Sequence, residues 1–463
     1  MSAIPGGIET DTAPPMAVPL GHFLVGLAAL VAGAALAPAV QVGAVGGFAG
    51  LAHLHLLLVG WVCLTIMGAM TQFVPVWSGV TLHSRRLATA QLWLVAAGLA
   101  GFVAALLWPA LDALPVFGAL LVAGVWTFVY NIARTLPGPV GMDVTERHFA
   151  LALGFFLLLT VLGLALAVGY TTPLLADLGL PRPRVAGAHA TLAVFGAVLT
   201  TVAGAIYQLA TMFTQTELDR LDRLLQRAET AGYPAGVLAL AAGRLLADPL
   251  LARVGGALVA GGLVAVALVV GRKLLATRTW TPMLSRYAVA VAATLAWAAL
   301  ALPAWLADPT APDAALGAPG SAHLLTVGVV GFVVLGTLYH VVPFIVWVHR
   351  YSDRLGFESV PMVDDLYDDR VARADFACLL AGLAALTADG LVEAPDPLAL
   401  SGGVAFLAGV LLFVANVALV VRQHSPHSLL ALLAARPGGD SGSEPAEPAR
   451  GDPETDVGGS GGG

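Results

Sequence analysis

The feature that most constrains this chain is a succession of apolar stretches, each about 20 residues long, that recur along most of its length. A helix of about 20 apolar residues is what the hydrocarbon core of a bilayer requires. Charged residues make up only 11% of the sequence, against about 25% in a soluble domain. The sequence therefore predicts an all-α integral membrane protein, because the short alternating segments of a β-barrel are not its pattern.

The apolar stretches predict about twelve transmembrane helices. Their predicted limits are 18–40, 50–76, 88–109, 113–133, 148–170, 185–212, 232–247, 252–271, 286–306, 320–347, 373–392 and 398–421. The seventh is the shortest. It contains Arg244, and Asp248, four residues later, directly follows its predicted end. They could pair on one helix face, or mark a pathway through the membrane. We expect one membrane domain over residues 18–422.

The distribution of basic residues predicts the orientation. Loops after the even-numbered spans, together with the C-terminal tail, hold 18 of the 22 Lys and Arg residues, and cytoplasmic loops carry this excess. Both termini are therefore predicted to be cytoplasmic in a multi-pass protein of the cell membrane. The N-terminal segment covers residues 1–17. The acidic C-terminal tail covers residues 423–463, is rich in Gly, Ser and Pro, and is expected to be disordered.

The predicted loops show no sign of a nucleic-acid partner, because no strongly basic region exists. The loop over residues 216–230 is amphipathic and is expected to lie on the inner membrane surface. Five histidines are expected to be solvated in cytoplasmic loops or in the tail. They are His83, His148, His349, His424 and His427.

Three predicted spans, the second, sixth and tenth, share one spacing of glycines. Counted back from Gln72, Gln208 and His340, glycines fall at positions −4 and −12 in all three. The glycines at −12 include Gly60 and Gly328. Small residues on one stripe allow another helix or a flat macrocycle to approach the backbone. Gly60 and Gly328 are therefore candidates for contact with a cofactor, with plain helix packing as the alternative.

Histidines recur in the same frame. Position −19 is histidine in the second span (His53) and in the sixth (His189). Position −17 is histidine in the second span (His55) and in the tenth (His323). We call these three spans the motif helices. Because they are four spans apart, the chain is predicted to consist of three pseudo-repeated units of four helices.

Helix geometry predicts how these histidines could meet. At about 100° per residue, positions −19 and −17 point to opposite sides of a helix. In a ring of three motif helices, each helix faces two gaps. One ring direction pairs His53 with His323 and His55 with His189, whereas the other pairs only His189 with His323. We favour the first direction because it uses every histidine.

Two imidazoles that face each other across a gap suit the axial ligation of a haem iron, or part of a copper site. We expect a b-type haem between His53 and His323, and a second haem or copper at the other pair. In the third gap this arrangement leaves Ser321 facing Thr191. A purely structural role for the histidines is the alternative.

The motif helices resemble those of the haem–copper oxidase subunit I superfamily, including its C-type and NnrS-type relatives. The resemblance rests on three segments that begin at His53, His83 and His323, and its frame covers residues 18–422. The segments are HLHLLLVGWVCLTIMGAMTQFVPVWSG, HSRRLATAQLWL and HLLTVGVVGFVVLGTLYHVVP. The resemblance implies twelve helices in three arcs, with ligand histidines on the second, sixth and tenth.

The resemblance also implies roles for individual residues. In that family two histidines ligate a low-spin haem. One is the second histidine of a tenth-helix His-x-His pair, and the other lies in the second helix. His323 matches the tenth-helix histidine, and His53 matches the second-helix histidine, with His55 as the alternative. His189 resembles the sixth-helix histidine that ligates copper.

The chain departs from the family at the catalytic centre. Ser321 stands where the family has the ligand of a high-spin haem, and residues 232–247 lack the family's His-His pair. We therefore expect a haem protein that acts in electron transfer or in handling nitric oxide or oxygen, with a copper protein or a quinol as electron donor. If it is an enzyme, it is an oxidoreductase. The alternatives are a transporter or assembly protein that retains the fold, and a divergent terminal oxidase or nitric oxide reductase.

Overall fold

The computed structural model of this chain describes residues 14–392 and 397–434. Within these ranges the chain is helical and forms no β-strand. Eleven helices are long and apolar enough to cross a membrane, and one further long helix lies among them. In chain order they are α1 Ala17–Gln41, α2 Ala49–Ser78, α3 Arg85–Leu107, α4 Leu111–Ala133, α5 Val144–Val168, α6 Arg182–Thr214, α7 Arg220–Leu246, α8 Pro249–Ala276, α9 Pro282–Ala307, α10 Leu324–Arg354, α11 Asp369–Leu391 and α12 Pro397–His424. An all-α, multi-pass membrane protein is confirmed.

The less apolar helix is α7, and it differs from the sequence prediction. The sequence places a loop over 216–230 and a span over 232–247, whereas α7 runs continuously through both. It begins with a capping box, in which the carboxylates of Asp219 and Asp222 each accept the other residue's backbone N–H. A capping box satisfies backbone donors that a helix start leaves unpaired. The charged segment is therefore the first half of a helix.

Arg244 and Asp248 do not pair, so the ion pair allowed by the sequence is absent. The chain leaves α7 through Ala247, which has a positive φ of 56°. Asp248 then caps α8 by accepting the backbone N–H groups of Leu250 and Leu251, each at 3.0 Å. The two side chains thus belong to different helix ends.

Among the motif helices α2, α6 and α10, the last two are the most buried of the eleven apolar helices. In the most apolar stretch of α6, 78% of the residues are buried, and in that of α10 83% are buried. The helices meet directly. Trp61 of α2 lies beside Gly331 of α10, and the ring of Phe213 in α6 packs edge-on against His340 of α10, with centroids 4.1 Å apart.

A segment of π-helical geometry directly or shortly follows the histidines of each motif helix. The π segments are Leu56–Cys63, Leu192–Val198 and Leu324–Gly331. In the frame of the glycine motif, all three begin at position −16. π-Helical turns are rare and are frequent at functional sites. The sequence motif therefore coincides with an irregularity of the backbone that recurs three times.

Ordered structure extends into the tail predicted over 423–463. Leu429–Ala434 forms a short helix, and Leu432 is buried where this helix meets α1. This part of the tail is apolar enough to pack, so the predicted disorder does not hold for it. The remaining predictions for the termini fall on residues 1–13 and 435–463, which lie outside the described residues.

Candidate metal centre

The four candidate ligands lie near the N-terminal ends of the motif helices, and two pairs of them are close enough to interact electrostatically. The imidazole of His323 interacts electrostatically with that of His53. The imidazole of His55 interacts in the same way with that of His189. The first pair joins α10 to α2, and the second joins α2 to α6. These are the two pairs of the ring direction that uses every histidine.

The Nδ1 atoms of these rings are held by backbone carbonyl groups. His53 Nδ1 lies 2.8 Å from the carbonyl oxygen of Gly33 in α1, and His189 Nδ1 lies 2.9 Å from that of Leu159 in α5. His55 Nδ1 lies 2.8 Å from a carbonyl oxygen one turn earlier in α2. A carbonyl only accepts hydrogen bonds, so Nδ1 carries the proton and donates. The lone pair of each neutral ring is therefore on Nε2.

The ring of His323 lies near the backbone of Leu386 in α11. Three of the four imidazoles are thus oriented by a hydrogen bond to a backbone carbonyl group. A metal-bound histidine commonly donates its second ring N–H to a carbonyl or carboxylate, which fixes the tautomer and the ring orientation. His53, His55 and His189 meet this requirement, as do His148 and His349 elsewhere in the chain.

The number of ligands at each centre distinguishes between cofactors. Among residues 14–392 and 397–434, no three His, Cys, Asp or Glu side chains converge in a way that could hold a metal ion. Each histidine pair therefore offers two protein ligands. Two axial imidazoles suffice for a haem iron, whose remaining ligands come from the porphyrin. The donor set fits a haem at either pair better than it fits an imidazole-rich copper site.

Gly60 and Gly328 face neighbouring helices, and not a space that a cofactor could enter. A Cβ atom on Gly60 would lie 2.6 Å from Ala29 of α1 and 2.6 Å from Leu99 of α3. A Cβ atom on Gly328 would lie 2.7 Å from Ala293 of α9. Protein already fills this side of both glycines, so their predicted contact with a cofactor is corrected to close helix packing.

Protein groups fill the third gap, where the sequence has Ser321 and Thr191 in place of histidines. Ser321 donates to the carbonyl of Ala318 at 2.7 Å, and Thr191 accepts a hydrogen bond from Arg244 at 2.7 Å. The buried Arg244 guanidinium also donates to three backbone carbonyl groups within the segment 309–315. Arg244 therefore fastens α7 to α6 and to the connection between α9 and α10.

Large aromatic side chains also fill the third gap. Phe195, in the π segment of α6, packs against Trp297 and Trp305 of α9, with ring centroids 5.8 and 5.5 Å apart. Both indole N–H groups donate to carbonyl groups of the connection between α9 and α10, at 2.7 and 2.8 Å. The gap that lacks histidines is thus closed by packed side chains.

A second set of recurring contacts lies toward the C-terminal ends of the motif helices, at the −4 glycines. A Cβ atom on each of these glycines would meet the Cβ atom of a histidine or arginine in the helix before the motif helix. The pairs are Gly68 with His22 of α1 at 2.7 Å, Gly204 with His148 of α5 at 2.5 Å, and Gly336 with Arg286 of α9 at 3.1 Å.

Each of these histidine or arginine side chains bonds to a buried polar residue in the helix after the motif helix. The bonds join His22 to Gln91 of α3 at 3.3 Å, His148 to Glu229 of α7 at 3.1 Å, and Arg286 to Asp375 of α11. All six side chains are buried. The three equivalent positions thus hold a neutral pair, a pair of titratable groups and a pair containing arginine. We call them the inner polar pairs.

The sequence prediction missed the second inner polar pair. It places His148 in solvent and Glu229 in a surface loop, whereas their side chains are fully buried. The available signal was the capping box of Asp143 and Glu146, which starts α5 at Val144 and brings His148 inside the helix.

Comparisons with known proteins assign this chain to no family, because neither a protein-family model nor a curated protein matches it. The functional interpretation therefore depends on the contacts described above.

Proposed function

We propose that the protein is a membrane haem protein of the haem–copper oxidase subunit I type. It holds one low-spin b-type haem between His53 and His323 and acts in electron transfer or in the handling of nitric oxide or oxygen. The observation that supports the proposal is the electrostatic interaction between imidazoles of separate helices, with the Nδ1 atom of His53 bonded to a backbone carbonyl group. A second haem or a copper ion at His55 and His189 belongs to the same proposal.

Under this proposal His53 and His323 would hold the haem through their Nε2 atoms. The haem, when bound, supplies an iron that changes oxidation state by one electron. Gly33 orients the His53 ring from α1. Two imidazole ligands would leave no open position on the iron, which suits electron transfer more than bond breaking. The donor would be a copper protein or a quinol.

The proposal includes twelve spans in three four-helix units, with both termini in the cytoplasm. Three recurrences support it. The π segments share one starting position in the glycine frame, the −4 glycines each pack on the preceding helix, and the inner polar pairs each join the first helix of a unit to its third. One unit repeated three times would produce all of these contacts.

The same proposal excludes a complete proton-pumping oxidase. Such an oxidase needs a further histidine at position 321 and a histidine pair in the seventh helix. Ser321 is fully buried and bonded to its own turn, and α7 contains no histidine. These residues support an electron-transfer or gas-handling role without the catalytic copper centre.

The test is an optical spectrum of the purified protein in detergent. We expect a sharp reduced haem band that carbon monoxide does not alter. The variants His53→Ala and His323→Ala should each abolish most of this band. His349→Ala is the matched control, because His349 lies at the other end of α10 with its Nδ1 atom bonded to a carbonyl of its own helix.

Three results would contradict the proposal. Equal spectra for all three variants would refute the ligand assignment. A spectrum sensitive to carbon monoxide would favour a divergent oxidase or nitric oxide reductase. Protein that binds no haem when haem is supplied would favour the transporter or assembly alternative.

A further inference from the structure

One of the three inner polar pairs lies next to a cleft. The cleft has a volume of about 660 Å³ and lies between α2, α5 and α6, at the ends predicted to be cytoplasmic. Tyr207, Glu146, Gln208 and Trp77 are among the residues that line it. Tyr207 also contacts the buried pair of His148 and Glu229, so it connects the cleft to the pair.

The hydrogen bonds define how protons are shared in this pair. The hydroxyl group of Tyr207 donates to Glu229 Oε2 at 3.1 Å. His148 Nε2 lies 3.1 Å from Glu229 Oε1, and His148 Nδ1 lies 2.7 Å from the carbonyl oxygen of Val144. The carbonyl of Val144 requires a proton on Nδ1. The position between Nε2 and the carboxyl group is therefore where one proton can be added to or removed from the pair.

Other titratable groups surround the pair. Asp143, at the start of α5, acts electrostatically on His148. Tyr233, one turn further along α7, acts on Glu229, and its hydroxyl group is already bonded to the carbonyl of Phe195 at 2.6 Å. Neither residue is a basic partner that would hold Glu229 permanently ionised.

The equivalent position in the third unit is different. Arg286 cannot lose its proton at any ordinary pH. Its partner Asp375 also accepts the hydroxyl group of Tyr339, and Asn416 of α12 donates to that hydroxyl group at 3.1 Å. The arginine of this pair keeps its charge, and the pair is covered by Tyr339 and Asn416. In the first unit His22 and Gln91 carry no acid at all.

We infer that His148 and Glu229 form a proton-binding site that exchanges one proton with water in the cleft through Tyr207. A hydronium ion in the cleft gives a proton to the phenol oxygen, while the phenol gives its own proton to the Glu229 carboxylate. The hydronium ion becomes water, Tyr207 stays neutral, and the pair gains one positive charge. An ionisable group within a membrane span commonly marks a functional pathway. This site does not depend on the proposed haem.

The first test is infrared spectroscopy of the folded full-length protein as a function of pH. We expect the protonated-carboxyl band at low pH to contain a component from Glu229 that is lost at high pH and shifted in deuterium oxide. In difference spectra against the unsubstituted protein, Glu229→Gln should remove this component, whereas Glu146→Gln, which changes another acid lining the same cleft, should leave it. A difference spectrum of Glu229→Gln without the loss of such a component would overturn the inference.

The second test keeps the pair intact and so does not depend on the folding of the Glu229 variant. Tyr207→Phe removes only the hydroxyl group that links the cleft to Glu229. We expect deuterium to enter the carboxyl group at least about tenfold more slowly, since a hydrogen bond to a charged group is worth at least about that factor. Tyr339→Phe, the equivalent change in α10, should leave this rate unchanged. An unchanged rate in Tyr207→Phe would overturn the route.

Discussion

The buried pair of Arg286 and Asp375 gives the sharpest prediction about stability. Their side chains are 1% and 0% exposed, and the pair joins α9 to α11. Arg286 also donates to the carbonyls of Pro282 and Ala372, at 2.9 and 3.1 Å. Asp375→Asn keeps the size of the side chain and removes the charge that compensates the guanidinium.

The magnitude follows from what remains after the substitution. Breaking a buried ion pair by removing one partner costs about 3–5 kcal/mol. The two carbonyl groups that accept from Arg286 are still present in Asp375→Asn, so we expect a loss near the lower limit, about 3 kcal/mol. Since about 1.4 kcal/mol corresponds to a factor of ten, the equilibrium constant for unfolding should rise more than a hundredfold.

The assay is equilibrium unfolding of the purified protein in lipid nanodiscs or mixed micelles. Asp353→Asn serves as the control, because Asp353 is exposed and a surface change should alter stability by no more than about 0.5 kcal/mol. The double variant Arg286→Met with Asp375→Leu should recover most of the loss, since no unpaired charge remains. A loss below about 1 kcal/mol in Asp375→Asn would refute the reasoning.

Three further predictions concern packing, the closed gap and acid stability. Gly204→Ala would place a Cβ atom 2.5 Å from His148 and should destabilise the protein by about 1–3 kcal/mol in the same unfolding assay, whereas Gly154→Ala, which meets no atom within 4 Å, should not. Arg244→Gln should speed hydrogen exchange between α9 and α10, measured by mass spectrometry, because several oxygens lose their donor; unchanged exchange would contradict the role of Arg244. The backbone N–H of Asp222 holds the pKa of the Asp219 carboxyl below its ordinary value, so its stabilising effect is present at neutral pH and lost as the pH falls through that lowered pKa. Thermal unfolding of Asp219→Asn should therefore lose less stability on acidification below about pH 4, and an identical pH profile would argue against this effect.

The pairing of the imidazoles could be proposed from the sequence because it depends only on local α-helical geometry. In α2, His53 and His55 both precede the π segment that begins at Leu56. The rotation of about 100° per residue therefore holds between them, and opposite sides of one helix can be assigned by counting. Whether these rings bind haem is a question of chemistry that counting does not answer.

The contacts of the glycines could not be predicted in the same way. Gly60 lies within the π segment, and Gly68 lies beyond it. A count from His53 across π-helical turns gives the wrong direction, because these turns contain more residues than α-helical turns. A glycine stripe also does not specify which neighbouring helix it meets, so the packing against Ala29 could be found only from the structure.

The starts of α5 and α7 were predicted too late for a different reason. Both begin with charged residues, and hydropathy treats such residues as loop. The pairs Asp143 with Glu146 and Asp219 with Asp222 form capping boxes that begin a helix before its apolar part. An acid followed three residues later by another acid is a usable signal, and giving it more weight would have placed Glu229 inside the protein.

The π segments divide each motif helix into two parts whose angular settings are independent. The wider π-helical turns rotate one part of the helix about the helix axis, compared with its direction in a continuous α-helix. The rotation is on the order of 100° for each extra residue. The N-terminal part can thus aim imidazoles at the other motif helices while the C-terminal part aims a glycine at α1, α5 or α9. Removing one residue within Leu56–Cys63 would swing His53 and His55 away from both partners at once and leave Gly68 against His22.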